Sequence, residues 1–568
     1  MKFTKKFILF SSCAFFFLAV FLHDTSCFAS AATALTNAVP VLVSLSTGEE
    51  QLYSIEVPSE ATGLEVSLAE GTGDLDLYTR YGTPPDTDIY DCRPYLDGND
   101  ETCFHTEPSD GTWYVMVKGY LTGSSTLVAT STPTFATCSD GEKNGDEAGV
   151  DCGGSCTDTC GDGSIFVDQQ LTSACLGGYS ISDRNCTGSD GHAYSTINEA
   201  MQDIEDGAGG VIVIRGGIYG EEVTINRSGN QDAYLVIKAY PGESPIIDGG
   251  GSLPSTSYHD GLVSAAFRSY LHIQGLTIRN SRYMGFHAYH CDHIRIIDCT
   301  VHDVQDGGIC FNIGTDILID NCEVHHSNQE GSAAMHEAVT VRTVDTFEIS
   351  NTVVHDCEEE GIDVKYHATN GSIHDCHLEN NILFIDKAHH IDIHNNIINN
   401  SGILLGIETG GDIPEPFETH HINIYNNLIS ESPFGVAFWV EESGTLFDVR
   451  IINNLFYRNT NGIRSYAGED HYGADVIARN NIFWLNEEGA LTGNTDALAR
   501  MLIDHNLFDN TDSNRHGSNA ITTEDVMFAN EATKDFHLES ASPAGGSGSS
   551  LDAPEADFDG TPRSAPHD

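Results

Sequence analysis

An amine and a carboxylate two residues apart on one face of a strand can work on the same proton, and Asp363 and Lys365 stand in that relation in the segment GIDVKYH. If Ile362 and Val364 point inward, Asp363, Lys365 and His367 point outward together, because side chains of a strand alternate between its two faces. Three neighbouring segments add charge: HEAVTVR ends on Arg342, FIDKAHH holds Asp386, and GIET holds Glu408. A lysine among carboxylates can take a proton from carbon, and the carboxylates can hold calcium or act as an acid and base pair. Trp439 and Glu441, then Arg464 and Tyr466, extend the same face. Rings stack on sugar faces while charges orient hydroxyls and carboxylates, so the strip has the chemistry of a polysaccharide cleft.

What brings these segments together is a repeated decapeptide. Asn396, Asn427, Asn454, Asn481 and Asn506 occupy one slot in DIHNNIINNS, NIYNNLISES, RIINNLFYRN, IARNNIFWLN and LIDHNLFDN. Upstream the slot holds Leu276, Cys299, Cys322, Thr352 and Cys376, so ten turns follow one another at spacings of 23, 23, 30, 24, 20, 31, 27, 27 and 25 residues. Apolar residues alternate within each copy, and a period that varies by insertion around a fixed strand pattern marks a solenoid. A turn this short has no room for a helix, so the expected fold is all-β: a right-handed parallel β-helix over residues 164–568. Stacked turns lie about 4.8 Å apart. On that ruler Arg342, Asp363, Lys365, Asp386 and Glu408 gather within roughly 10 to 15 Å. The asparagines themselves are read as a structural ladder. Gly285, Gly308, Gly361, Gly402, Gly435, Gly462 and Gly489 each open a strand, where glycine suits a sharp entry.

Lys2, Lys5 and Lys6 precede an apolar run from Phe7 to Leu22, with Ala29-Ser30-Ala31 behind it. This is the pattern of a signal peptide over residues 1–31, and no later apolar run approaches membrane length. Export is expected, without membrane insertion. Of 16 cysteines two fall in that segment; the even remainder in an exported chain implies disulfides. With 84 acidic against 26 basic residues the formal charge is −58, which excludes unaided binding to nucleic acid or anionic membranes. An acidic substrate would need a bridging cation or a local basic patch. A monomer is expected.

Residues 38–132 alternate in short strands, as in GDLDLYTRYG from Gly73, YDCRPYLDGNDETC from Tyr90 and GTWYVMVKGY from Gly111. This β-sandwich resembles the bacterial pre-peptidase C-terminal domain, a jelly-roll accessory of secreted hydrolases. Cys92 and Cys103 are its natural disulfide pair, being the only two cysteines of the module. Asp74 and Asp76 are candidate calcium ligands there, set against ordinary solvated carboxylates. Residues 138–160 hold Cys138, Cys152, Cys156 and Cys160 among Gly, Asp and Asn, too little apolar material for a core. They read as a stiff disulfide linker, with Asp140, Asn144, Asp146 and Asp151 as possible calcium ligands and zinc as the other option.

Between linker and first turn, YSTINEAMQDIEDG predicts an amphipathic helix over Ser195–Asp206 that buries Ile197, Ala200, Met201 and Ile204 and closes the open end of the solenoid. At the other end FHLESASPAGG and DFDGTPRSAPHD resemble the closing segment of many β-helix proteins, which often adds a further strand. The chain stops at Asp568, so the C-terminal cap is expected to be incomplete.

The segments from HEAVTVR to GIETGG resemble secreted β-helix proteins of polysaccharide-degrading bacteria, most specifically in GIDVK. They are also similar, more loosely, to calcium-dependent polysaccharide lyases of this fold, in which a lysine or arginine removes the proton beside a uronate carboxylate. The resemblance implies Lys365 as base with Arg342 beside it, and Asp363, Asp386 and Glu408 as calcium ligands. His367, Trp439, Glu441, Arg464 and Tyr466 would line the substrate. Calcium would neutralise the uronate carboxylate, and Lys365 must be neutral to act, which Arg342 and the ion favour while the carboxylates oppose it. A glycoside hydrolase using paired carboxylates is the alternative: adjacent turns give about 5 Å and alternate turns nearer 10 Å. A non-catalytic polysaccharide-binding protein or adhesin is the third reading, since an Asp-Lys pair on one face can be a plain ion pair. The histidines, among them His287, His336, His367, His389 and His390, match no compact metal motif and read as surface or ladder residues.

Overall fold

The computed structural model describes residues 32–132 and 164–563, apart from short stretches at 38, 59–60, 62, 88, 95–97, 100, 107, 256–260, 330–336, 359, 409–416, 442, 472–474 and 513–516. The expected signal peptide 1–31, the expected disulfide linker 138–160 with its cysteines and possible calcium ligands, and His336 lie outside the described residues. The chain divides into two compact units, one N-terminal and one running to the C-terminus.

In the N-terminal unit, two long strands do most of the work. Gly111–Thr132 pairs antiparallel with Glu50–Val57 through its first half and with Val41–Leu45 through its second. Gly63–Tyr81 pairs along almost the whole of it. Alternation buries Leu64, Val66, Leu68, Leu75 and Leu77 against Val115, Val117 and Leu127. A disulfide joins Cys92 to Cys103 as expected. The calcium expectation meets occupied carboxylates: Asp76 is paired with Arg93 at 2.9 Å, and Asp74 accepts the Gly98 N–H at 3.1 Å.

The C-terminal unit is a right-handed parallel β-helix. Its 13-stranded sheet takes one strand from each turn, all parallel and in register. Ten of those strands follow the repeated slot, and Ile218–Tyr219, Ile246–Asp248 and Ile521–Thr523 extend the stack beyond what the repeat revealed. The corners are made by residues immediately before the slot: Asn395, Asn426, Asn453 and Asn480 adopt φ of 56, 55, 56 and 56°. That left-handed conformation favours Asn, Asp and Gly, which is why the residue before the slot is Asn, Asp or Gly in nine of the ten turns and His505 in the last. Behind the corner the ladder closes as expected. Each Asn Nδ2 donates to the Oδ1 of the next, Asn396 to Asn427 at 3.0 Å, Asn427 to Asn454 at 2.9 Å and Asn454 to Asn481 at 3.0 Å. The same oxygens accept the backbone N–H of the turn before. Inside, like residues stack: Phe456, Phe483 and Phe508 lie ring on ring at 4.8 and 5.3 Å.

Three expectations change. The six solenoid cysteines, Cys291, Cys299, Cys310, Cys322, Cys357 and Cys376, are free thiols, five of them buried. Three of them, Cys299, Cys322 and Cys376, fill ladder slots in which the sulfur contacts a carbonyl, as Cys376 Sγ does with Ile349 O at 3.5 Å; a second disulfide instead joins Cys175 and Cys186. The helix is shorter, Ile197–Gln202 with Thr196 as its N-cap, although all four of its predicted core residues are buried in the solenoid core. Finally, of the strand-opening glycines only Gly489 has positive φ. The others are required by space: a Cβ on Gly435 would stand 2.2 Å from the Phe456 ring, and one on Gly285 2.4 Å from Val301.

Candidate functional site

Register brings the predicted charges into two adjacent columns. Arg342, Lys365 and Asp386 pair on successive turns, followed by Gly406 and Trp439. Asp363 lies in the neighbouring column, which continues through Phe384, Leu404 and Ala437 to Arg464. Trp439 is thus two turns beyond Asp386. Arg464 is four turns beyond Asp363, about 19 Å at the turn spacing.

The centre is drier than alternation implied. Asp363 and Asp386 are 2% and 1% exposed, and the Lys365 side chain is only 11% exposed. Lys365 Nζ lies 2.6 Å from Asp363 Oδ2 and 2.7 Å from Glu337 Oε1. One turn on, Lys387 Nζ lies 2.9 Å from Asp386 Oδ2 and donates to Glu408 O at 2.6 Å. Glu408 in turn donates its N–H to Asp386 Oδ1 at 3.0 Å. Burial alone would push the Lys365 ammonium down, but Asp363 and Glu337 outweigh it and hold it well above the ordinary lysine range. Burial raises the Asp363 carboxyl, against the pull of Lys365 and with the push of Glu337 and Asp386. Asp386 and Glu408 are raised as well, each first by burial.

The strand Ile362–Lys365 ends at its lysine. Tyr366 and His367 follow with φ of 58 and 64°, which breaks the two-residue alternation. His367 therefore does not continue the outward row; its N–H bonds Lys387 O at 2.6 Å. Tyr366 takes the central place, with Arg342 and Lys387 each 4.7 Å and Lys365 5.8 Å from its ring centre. Three cations surround one ring, but Lys365 is paired with Asp363 and Glu337 and Lys387 with Asp386. Farther along, Trp439 is half-buried, Tyr466 is exposed, and Arg464 stacks over Tyr466 at 4.7 Å while pairing with Glu488 at 3.3 Å. Glu441, exposed, donates its N–H to Ile407 O. The structure thus unites Arg342, Asp363, Lys365, Asp386 and Glu408, and strings Trp439, Glu441, Arg464 and Tyr466 along the same face.

Glu337, Tyr366 and Lys387 are the residues sequence reasoning missed. Glu337 precedes its strand, so no periodicity marked it, although it stands in the same HEAVTVR segment as Arg342. Lys387 follows Asp386 directly and reads by alternation as an inward residue; it is fully buried, but its amine reaches back to Asp386.

The carboxylates suit a hard cation in kind: they are oxygen donors, and Asp363 Oδ1 is buried without a hydrogen-bond partner. Asp363 and Asp386 are each clasped by a lysine, so an ion would compete with Lys365 and Lys387 for them. Two concavities of about 450 and 480 Å³ lie elsewhere, along the asparagine corners where the C-terminal segment packs, and neither is lined by this group.

Residues 180–381 match the family model described as Pel9A-like, right handed beta helix region, and residues 49–119 match the bacterial pre-peptidase C-terminal domain. The chain is 40% identical over 87 residues, 15% of its length, to alkaline serine exoprotease A of Vibrio alginolyticus. It is 46% identical over 98 residues, 17% of its length, to an extracellular protease of Xanthomonas campestris. These matches span only 16% and 17% of the relatives' own lengths. Among solved structures, pectate lyase Pel9A aligns over 71% of this chain and 88% of its own, with 12% identity and a TM-score of 0.38.

Proposed function

We propose that this chain, which carries a Pel9A-like right-handed β-helix region and a pre-peptidase C-terminal domain, is a secreted, monomeric polysaccharide lyase that cleaves a uronate-containing polymer by β-elimination. The observation that carries this reading is Lys365: a nearly buried amine inside the Pel9A-like region, stacked one turn above Arg342 and one below Asp386. Arg342, lying over Tyr366, supplies positive charge for the substrate carboxylate. Lys365 Nζ then accepts the proton from the carbon beside that carboxylate. The electrons of the broken C–H bond form the double bond, and the glycosidic oxygen leaves with its bonding pair and takes a proton from water. Trp439 offers a sugar-stacking face two turns along.

In the geometry described, Lys365 is held as an ammonium by Asp363 and Glu337, so turnover requires those carboxylates to be drawn off it. A calcium ion taken up by Asp363, Asp386 and Glu408 would draw Asp363 off the amine and polarise the substrate carboxylate, while Glu337 would have to turn away separately. Exported context is supported by the extracellular protease among the relatives of the N-terminal domain.

A second reading rests on Asp386 and Glu408. Both carboxyls are raised, the property a general acid needs, and the Glu408 backbone bonds Asp386 from the next turn, so a glycoside hydrolase is the competing chemistry. Incubation with pectate, alginate and other uronans separates the readings. New absorbance of unsaturated uronates, lost with chelator and restored by calcium, supports the lyase. Reducing ends without that chromophore favour the hydrolase, and saturable binding with neither product leaves a binding protein.

A further inference from the structure

We propose that His390, His420 and His421 form a binding site for a late first-row divalent transition metal ion of the zinc(II) or copper(II) class. The site is separate from the charged column and independent of its reading. Among the described residues, this is the group of three or more potential ligands whose coordinating atoms all lie within 4.8 Å of one another.

The cluster follows from two dipeptides in register. His389 pairs with His420 on the next turn, and the second histidine of each dipeptide, His390 and His421, is left-handed with φ of 59 and 54°. That corner swings the second ring across the first, at interplanar angles of 79 and 71°. Between turns, equivalent rings stack: His389 on His420 at 4.7 Å, and His390 on His421 at 4.3 Å. Crossing within a turn and stacking between turns points several ring nitrogens at one small region. His420 Nδ1 and His421 Nδ1 are 2.6 Å apart, and His389 Nδ1 and His390 Nδ1 are 2.9 Å apart.

Two imidazole nitrogens so close must share a proton or a cation. Zinc–nitrogen bonds of about 2.0–2.1 Å place tetrahedral ligands about 3.3 Å apart, within small ring rotations of the spacing seen. Two further contacts prepare the rings. Asp448 Oδ2 lies 3.1 Å from His421 Nε2, the outer carboxylate contact that fixes a ligand's tautomer and leaves Nδ1 free for the ion. His420 is held between His389 and Phe447, the latter stacked at 4.6 Å. Imidazole nitrogens prefer zinc, copper or nickel over calcium, and the chain's charge of −58 draws cations to its surface.

The molecule contains its own control. His325 and His326 form the same crossed dipeptide, with Nδ1 atoms 2.7 Å apart and an interplanar angle of 80°. The neighbouring turns place His302 and His355 in the stack but follow them with Asp303 and Asp356. With only one second-position histidine, no converging group of three forms.

The test is titration of the purified full chain, stripped of metal and desalted, with cobalt(II), followed by its ligand-field absorption, and with zinc(II) by calorimetry. One equivalent is expected to bind with micromolar or tighter affinity. His390→Ala and His421→Ala should weaken binding at least tenfold while leaving the far-ultraviolet circular dichroism unchanged, and His326→Ala should change neither. His390→Phe, which keeps the ring stack on His421, should lose the ion with the fold intact. Absence of saturable binding to the wild-type chain would overturn the site, as would undiminished binding in the His390 and His421 variants. An equal loss in His326→Ala would also overturn it, by showing generic histidine binding.

Discussion

Lys365 Nζ lies 2.6 Å from Asp363 Oδ2, on the same strand and almost out of solvent. The pair is therefore both the chemical centre of the proposed site and a buried ion pair that the fold has to accommodate. Removing one member of such a pair is costly, because the other is left charged in a poor solvent for charge. Lys365→Met should lower stability to urea by about 3 kcal/mol, and Asp363→Asn added to it should restore most of the loss. An additive double variant would show that the two are not coupled. Activity should vanish in both.

Substrate contact should separate from chemistry along the column. Trp439→Ala, two turns from Asp386, is expected to raise KM about tenfold with a smaller change in kcat, which initial rates across polymer concentrations will measure. A fall in kcat alone would place the ring at the reacting bond.

Acid should loosen the solenoid through its stacked histidines. His394 lies between His374 at 4.8 Å and Tyr425 at 4.7 Å, and burial first, then His374, push its imidazole below the ordinary value. A depressed folded value means that the unfolded chain takes the proton first. The contribution is thus full above about pH 6.5 and is lost as pH falls toward the folded value. His394→Tyr, extending the Tyr425 ring stack, should shrink the drop in Tm between pH 7 and pH 5.

The asparagine ladder should respond to chemistry rather than size. Asn454 Oδ1 accepts from the Asn427 N–H and Nδ2, while its own Nδ2 donates to Ile424 O and Asn481 Oδ1. Asn454→Asp is nearly isosteric but removes the donor, and about 2–4 kcal/mol of stability should go with it in denaturant unfolding. A loss under 1 kcal/mol would mean that the ladder is decorative.

Glycine substitutions will discriminate space from conformation. Gly435→Ala drives a methyl into the Phe456 ring and should cost about 1–3 kcal/mol. At Gly220 nothing lies within 4 Å and φ is not positive, so Gly220→Ala should be neutral or slightly stabilising by thermal melt.

The fold was legible because its physics is one-dimensional. A β-helix repeats the same strand and corner, and from Asn396 to Asn506 each slot carries a side chain that bonds the backbone and side chain of the same slot on neighbouring turns. The charged column was legible for the same reason, since register follows from the repeat and puts Arg342, Lys365 and Asp386 on successive turns. His367 was misplaced because alternation holds only while a strand lasts, and this one ends at Lys365.

Local pattern in the chain was enough to determine the solenoid, its register and, within each strand, the residues that share a face. Tertiary structure alone decided how deep those residues lie and what they touch. Glu337 reaches Lys365 from outside the repeat, and Lys387 turns to Asp386 beneath Tyr366. Two HH dipeptides 31 residues apart become one cluster because a left-handed corner recurs at the same height on adjacent turns. Spacing along a chain sets which turn a residue occupies, whereas charge, burial and convergence depend on neighbours that arrive from other turns.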